Sequence, residues 1–207
     1  MKKICYIAGA SGEDFDPFIK GPSDLLIACD GGYSALKKRG LCPDVLIGDL
    51  DSFDGDIPHD IEVIRHPVMK DDTDTMLCIK YGIECGYESF VIFGGMGGRL
   101  SHTYANVQAL AYLSERNMNG RLVSDKCMIT LVKNGKISFD ENESGDISVF
   151  AYGKNAYGVC ERGLKYSIEN ATLTDNFPLG VSNSFIGRES EISVSDGTVL
   201  IITEKHK

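Results

Sequence analysis

Two carboxylates one residue apart follow an apolar run that starts at Val45, in the order Val-Leu-Ile-Gly48-Asp49-Leu50-Asp51-Ser52. In a turn beyond a buried strand, both can converge on one hard divalent cation, and the carboxyl ends of strands are where open α/β sheets hold ligands. Magnesium with a phosphate substrate is the chemistry the pair suggests. Asp and Ser after a strand are also ordinary turn and helix-capping residues. Two further acidic turns shift the balance: Asp30-Gly31-Gly32 ends the apolar run Leu25 to Cys29, and Asp71, Asp72 and Asp74 cluster in Lys70-Asp-Asp-Thr73-Asp. Like charges gathered this way repel unless a cation offsets them.

Other small motifs lie at the ends of apolar runs. Gly94-Gly-Met-Gly-Gly98 precedes Arg99 and lets a ligand come very near the backbone. Ser101 is expected to cap a helix from His102 to about Arg116, in which His102 and Asn106 stand one turn apart on one face. Gly9-Ala-Ser-Gly12 is a small-residue loop without the Lys-Ser/Thr ending of a P-loop, and a plain turn is the simpler reading.

These residues need strands and helices to hold them. Strands are expected at 3–8, 25–29, 45–48, 61–65 and 89–93, with helices at 33–39 and 73–81 between them. Asp30 is placed to cap the first helix or to point at a ribose or metal, and Asp71 or Asp72 to cap the second. From about residue 121 the texture changes to short strand-length pieces between Gly, Asn and Asp, among them 121–123, 166–168, 179–182 and 191–194. That spacing reads as a β-sandwich or barrel. The expected organisation is therefore an α/β domain with a mainly parallel, Rossmann-like sheet over residues 1–125, followed by a smaller all-β sandwich over 126–207.

Composition narrows the function. The net charge of -9, with Lys and Arg scattered, argues against a groove that tracks nucleic-acid phosphates. No apolar stretch approaches the roughly 20 residues of a membrane helix, and no signal-peptide pattern follows Met1, so a cytoplasmic location is expected. Seven dispersed cysteines without a CxxC pair suit a reducing compartment and argue against a zinc cluster.

The ordered set Asp30-Gly-Gly, Gly48-Asp-Leu-Asp-Ser52, Lys70-Asp-Asp-Thr-Asp74, Gly98-Arg-Leu-Ser-His102 with Asn106, Gly163-Leu-Lys-Tyr166 and Gly180-Val-Ser-Asn183 closely resembles the bacterial thiamine pyrophosphokinases. The resemblance covers nearly the whole chain. It implies an N-terminal nucleotide- and magnesium-binding domain, a C-terminal thiamine-binding sandwich, and a homodimer with active sites between subunits. It further implies transfer of the diphosphate of ATP to the hydroxyl of thiamine, giving thiamine diphosphate and AMP. Carried over by motif, Asp49, Asp51 and Asp74 hold Mg2+, with Asp71 beside them, while Lys70 and Arg99 neutralise phosphate oxygens. Asp30, Gly31, Gly32, Thr73, Gly98, His102 and Asn106 fall to the nucleotide, and Ser182 and Asn183 to thiamine.

Phe150, Tyr152, Tyr157, Tyr166 and Phe185 are the aromatic residues available to a thiamine cation. The chain departs from the family at Ser101 and Ser184, where relatives commonly carry Asp and Glu, and it has no Trp. Two other readings accommodate part of the pattern: a magnesium-dependent nucleotide-sugar glycosyltransferase, and a non-catalytic thiamine or nucleotide sensor.

Overall fold

The computed structural model describes residues 3–11, 18, 20–48, 61–65 and 72–206. Asp49, Asp51, Lys70 and Asp71 thus lie outside the described residues. The chain divides into two compact units, Met1–Leu113 with Met118–Asp125, and Ser114–Asn117 with Lys126–Lys207.

In the first unit the described strands are β1 (Cys5–Ala8), β2 (Leu25–Cys29), β3 (Val45–Gly48), β4 (Glu62–Arg65), β5 (Ser89–Phe93) and β6 (Asn119–Val123). They lie in the order β6-β5-β1-β2-β3-β4, and every neighbouring pair is parallel. The chain builds outward from β1 to β4 on one side, then returns to lay β5 and β6 on the other, so the order reverses between β1 and β5. A sheet covered on both faces needs apolar side chains at every position. The unbroken runs Cys-Tyr-Ile-Ala and Val-Leu-Ile-Gly, buried throughout, meet that need.

Helices α1 (Gly32–Lys38), α2 (Asp74–Glu84) and α3 (Leu100–Ser114) complete the unit. Tyr33 and Leu36 of α1 pack on the face that carries Tyr6, Ala8, Leu26, Ala28 and Leu46. Gly82 of α2 faces the opposite side, where a Cβ would stand 2.7 Å from the Phe90 ring and 2.9 Å from Cys5 Sγ.

The helix starts differ from the sequence expectations. Thr73, not Asp72, caps α2, its hydroxyl accepting from Met76 N–H at 3.2 Å, while Asp71 lies outside the described residues. Asp72 pairs instead with Lys80 at 2.6 Å, an ion pair eight residues long that draws it away from the cap. Gly31, which has no side chain to make a capping bond, occupies the cap position of α1, so Asp30 is not the N-cap residue. Ser101 lies inside α3, whose first bonds run from His102 and Thr103 N–H to the Arg99 carbonyl.

The second unit is a sandwich. Strands β7 (Cys127–Lys133), β9 (Asp146–Ala151), β12 (Gly180–Ser184) and β14 (Thr198–Glu204) pair antiparallel in the order β12-β9-β14-β7. Strands β8 (Lys136–Phe139), β10 (Ala156–Arg162), β11 (Ile168–Leu173) and β13 (Ser190–Ser193) form the facing sheet, in the order β11-β10-β13-β8. Ile147, Val149, Val199 and Ile201 from one sheet meet Val159, Leu173 and Ile192 from the facing sheet, with Val194 just beyond β13. The strand expected at 166–168 begins only at Ile168 and runs to Leu173, because Tyr166 belongs to a turn. Residues 121–123, expected to open the β-rich region, belong to β6 of the parallel sheet.

Gly32 marks the tightest approach of α1 to the sheet: a Cβ there would lie 1.8 Å from the Ala8 carbonyl oxygen. Both partners are backbone, so the contact cannot be relieved by a rotamer change. Gly32→Ala is expected to lower stability by about 3 kcal/mol, the upper end of the usual overpacking cost. An unchanged urea midpoint for the first unit's unfolding contradicts this packing.

Candidate active site

A cavity of about 630 Å3 opens above the carboxyl ends of β1, β2 and β5. Its floor is backbone. Gly9 N–H donates to Phe93 O at 2.7 Å and Ser11 N–H to Gly94 O at 3.2 Å, tying the loop after β1 to the loop after β5. The Ser11 hydroxyl donates to the Met96 carbonyl, a second tie between the same loops.

Asp30 enters the cavity from the end of β2. Its backbone is left-handed, with φ at 47°, a conformation that costs a non-glycine residue free energy and persists only where its surroundings enforce it. Here Asp30 N–H donates to Ile47 O at 2.9 Å, and its carbonyl accepts from Tyr33 N–H at 3.2 Å. Gly48 backs onto it, leaving only 3.0 Å between a Cβ at that position and Asp30 Cα.

The first turns of α2 and α3 form the remaining walls, contributing Thr73, Asp74 and Thr75 on one side and Ser101, His102, Thr103 and Asn106 on the other. Helix N-termini present unpaired N–H groups and a positive dipole end, which favours an anion between them. Gly98 and Arg99 stand at the rim. Among the described residues the exposed Arg99 guanidinium forms no ion pair, so it is available to an incoming phosphate. Asn106, 8% exposed, donates from Nδ2 to Gly95 O at 2.7 Å and pins the glycine-rich loop to α3.

The structure therefore gathers Asp30, Thr73, Asp74, Gly98, Arg99, His102 and Asn106 around one cavity. Gly31 and Gly32 do not line it; they allow the loop and α1 to pack against Ala10 and Ala8. Cys29, Ser11, Thr75 and Met96 also line it without having been singled out as site residues. For Ser11 the signal was the small-residue loop Gly9 to Gly12, whose backbone approach is real although it is no P-loop.

Among the described residues no three His, Cys, Asp or Glu side chains form a metal cluster. The cavity's donors are nevertheless hard oxygens, the Asp30 and Asp74 carboxylates with the Thr75 and Ser101 hydroxyls. That set fits magnesium, which takes one or two protein carboxylates and completes its shell with water and phosphate.

Comparison with known proteins decides the family. A profile described as "Thiamin pyrophosphokinase, catalytic domain" matches residues 19–122, and one described as "Thiamin pyrophosphokinase, vitamin B1 binding domain" matches residues 135–199. The chain belongs to the thiamin pyrophosphokinase family. Over 211 residues it is 27% identical to the thiamine pyrophosphokinase of Bacillus subtilis, covering 98% of each chain. The fold is that of the crystal structure of the B. subtilis protein, with a TM-score of 0.87 at 23% identity over 99% of this chain and all of the other. The yeast thiamin pyrophosphokinase structure superposes with a TM-score of 0.73 at 19% identity, over 98% of this chain and 86% of that one.

In the segment matched by the family's vitamin B1 binding domain, Ser182 is exposed and left-handed at φ 61°, its N–H donating to Ser148 Oγ at 3.1 Å. Asn183 turns inward, at 5% exposure. Its Nδ2 donates to Tyr166 O at 2.6 Å and to Glu161 Oε2 at 2.8 Å, while Oδ1 accepts from Tyr166 N–H and Ser184 N–H, each at 2.9 Å. An amide has two donor hydrogens and two acceptor lone pairs, so Asn183 has nothing left for a ligand. Of the aromatic residues named above, Phe185 packs edge-on against Phe139 at 5.3 Å inside the unit, whereas Tyr166 is 59% exposed.

Glu161 is fully buried, and burial pushes its carboxyl above the ordinary value of 4.5, the Asn183 bond opposing that only in part. A raised carboxyl keeps its proton in the folded chain after the unfolded chain has lost it. Its contribution to stability is then complete below pH 4.5 and lost as pH rises through the folded value. Glu161→Gln cannot ionise, so urea unfolding across a pH series is expected to show wild type losing stability relative to this variant from pH 4 to pH 8. Parallel profiles contradict the assignment.

Proposed function

We propose that the chain transfers the intact diphosphate of ATP to the hydroxyl of thiamine, releasing AMP and thiamine diphosphate. The observation that carries this reading is the cavity between the α2 and α3 N-termini, walled by the family's acidic and glycine-rich motifs. Nothing in the comparisons favours a glycosyltransferase or a sensor.

The thiamine hydroxyl oxygen attacks the β-phosphorus of ATP as the bond from that phosphorus to the α-phosphate's bridging oxygen breaks, and AMP leaves with that oxygen. Such a displacement depends on alignment and charge neutralisation more than on a strong base. The two helix N-termini seat the phosphate chain above the close-packed backbone floor. Arg99, with Lys70, offsets charge on the transferred group. Asp71 is the candidate acceptor for the hydroxyl proton. Magnesium, when held by Asp49, Asp51 and Asp74, would neutralise phosphate charge. Asp30, held in its left-handed turn, faces the nucleotide; His102 and Asn106 form the opposite wall.

The Rossmann-like description of the first unit is supported by its reversal of strand order between β1 and β5, the point where such sheets seat nucleotides. The second unit is the proposed thiamine-binding domain, with Ser182 as a direct contact and Tyr166 as the exposed aromatic residue. A homodimer with active sites between subunits fits the apolar surface left open on the second unit, where Phe177, Leu179 and Val181 are exposed along and before β12. No described helix is long and apolar enough to cross a membrane, and a cytoplasmic location is part of the proposal.

Incubation with ATP, magnesium and thiamine, followed by phosphorus NMR, is expected to show AMP and thiamine diphosphate appearing in equal amounts, with chelator stopping both. Asp74→Asn is expected to leave folding intact and lower turnover by about a hundredfold or more. A freed nucleoside diphosphate, or turnover unaffected by Asp74→Asn, contradicts the scheme.

A further inference from the structure

Glu161 is the second unit's outlier: a carboxyl side chain wholly out of water, near the end of β10. Its Oε2 accepts from Asn183 Nδ2 at 2.8 Å, and among the described residues its buried Oε1 has no partner. An apolar residue of similar size would fill the space without the cost of desolvating a carboxyl. What the carboxyl adds is the bond to Asn183.

That bond leads to the proposed substrate surface. After Arg162 the chain leaves β10, passes Gly163 at φ 75°, and crosses to the other sheet, where Leu164 bridges to Phe185 and Lys165 N–H donates to Ser184 O at 3.0 Å. Tyr166 follows, its backbone N–H and carbonyl both held by the Asn183 amide. Asn183 adjoins Ser182, whose left-handed backbone sits within a register shift between β12 and β9, from Gly180 to Asn183. The irregular stretch of β12 and the 163–166 turn are thus fastened together by one amide, and Glu161 takes that amide's remaining hydrogen.

We infer that Glu161 is a positioning residue for the substrate that docks on Tyr166 and Ser182: by anchoring Asn183 to β10 it fixes how that turn and strand face the ligand. The inference rests on the proposed thiamine-binding role of the second unit. Glu161 itself touches no substrate. Its removal frees Asn183 from β10, so the turn and Ser182 lose their common anchor, while the nucleotide cavity is built entirely from first-unit residues.

The test is steady-state kinetics on Glu161→Met, Glu161→Asp and Glu161→Gln, varying thiamine and ATP separately, with thermal unfolding of each variant. Met matches the volume without the acceptor. Asp keeps the carboxyl but falls one methylene short of Asn183. Gln retains a carbonyl oxygen where Asn183 donates. The expected result is a KM for thiamine raised on the order of tenfold in Met and Asp, the scale of one buried hydrogen bond. KM for ATP stays within twofold of wild type, and Gln restores the thiamine KM. Should Glu161→Met not fold, Glu161→Asp carries the same comparison. An unchanged thiamine KM in folded Met or Asp variants overturns the inference, as does a parallel rise in the KM for ATP or a Gln variant as impaired as Met. Wild-type enzyme that makes no thiamine diphosphate contradicts the proposed function instead, so the two failures are distinguishable.

Discussion

Two backbones touch above the centre of the parallel sheet, and the rest of the first unit is arranged around that contact. A Cβ on Gly9 would lie 2.6 Å from the Gly94 carbonyl oxygen, and a Cβ on Gly94 would lie 2.6 Å from that of Gly9. Neither position tolerates a side chain, and Gly94 adds a φ of 61°. Beyond that contact Ser11 keeps the two loops tied, its N–H to Gly94 O and its hydroxyl to Met96 O, so this part of the cavity is floored by joined backbone. Asp30, the α2 start and the α3 start then close around it.

The second unit works by a different principle. Its rigidity comes from apolar side chains interleaved between two antiparallel sheets, yet its proposed functional surface lies where the strands are least regular, at the bulged stretch of β12 and the turn from Gly163 to Tyr166. Irregular backbone leaves polar groups that the ladder does not satisfy, and these must find partners elsewhere. The Asn183 amide supplies several of them at once. This explains why a residue that looks like a ligand contact faces inward, while its neighbour Ser182 stays exposed.

Much of the fold was legible because burial on both faces leaves a plain mark. The apolar runs at 25–29, 45–48 and 89–93 are the observed strands, since a covered parallel sheet admits few polar residues there. Helix starts were less legible, because capping is decided between adjacent candidates by contacts elsewhere in the fold. Lys80 claims Asp72, leaving Thr73 to cap α2. Asp30 was visible as a functional candidate, but its left-handed backbone was not, since Ile47 and Gly48 on a separate strand enforce it. Glu161 was missed for a specific reason. Simple alternation along β10 is broken by register shifts against β11 on either side of Val159, with Gly158 at φ 62°, so the inward positions cannot be counted from the sequence. Asp49, Asp51, Lys70 and Asp71 rest on motif alone.

The central claim is that the nucleotide's phosphates lie over the Gly9–Gly94 contact. Backbone amide shifts followed by NMR during titration with a non-hydrolysable ATP analogue and magnesium test it most directly. The account predicts the largest changes at Gly9 to Ser11, Asp30 to Gly32, Thr73 to Thr75 and Gly94 to Arg99, with the amides of β10 and β13 little moved. Saturable binding that leaves Gly9 and Gly94 unshifted, with its changes centred elsewhere, would contradict it.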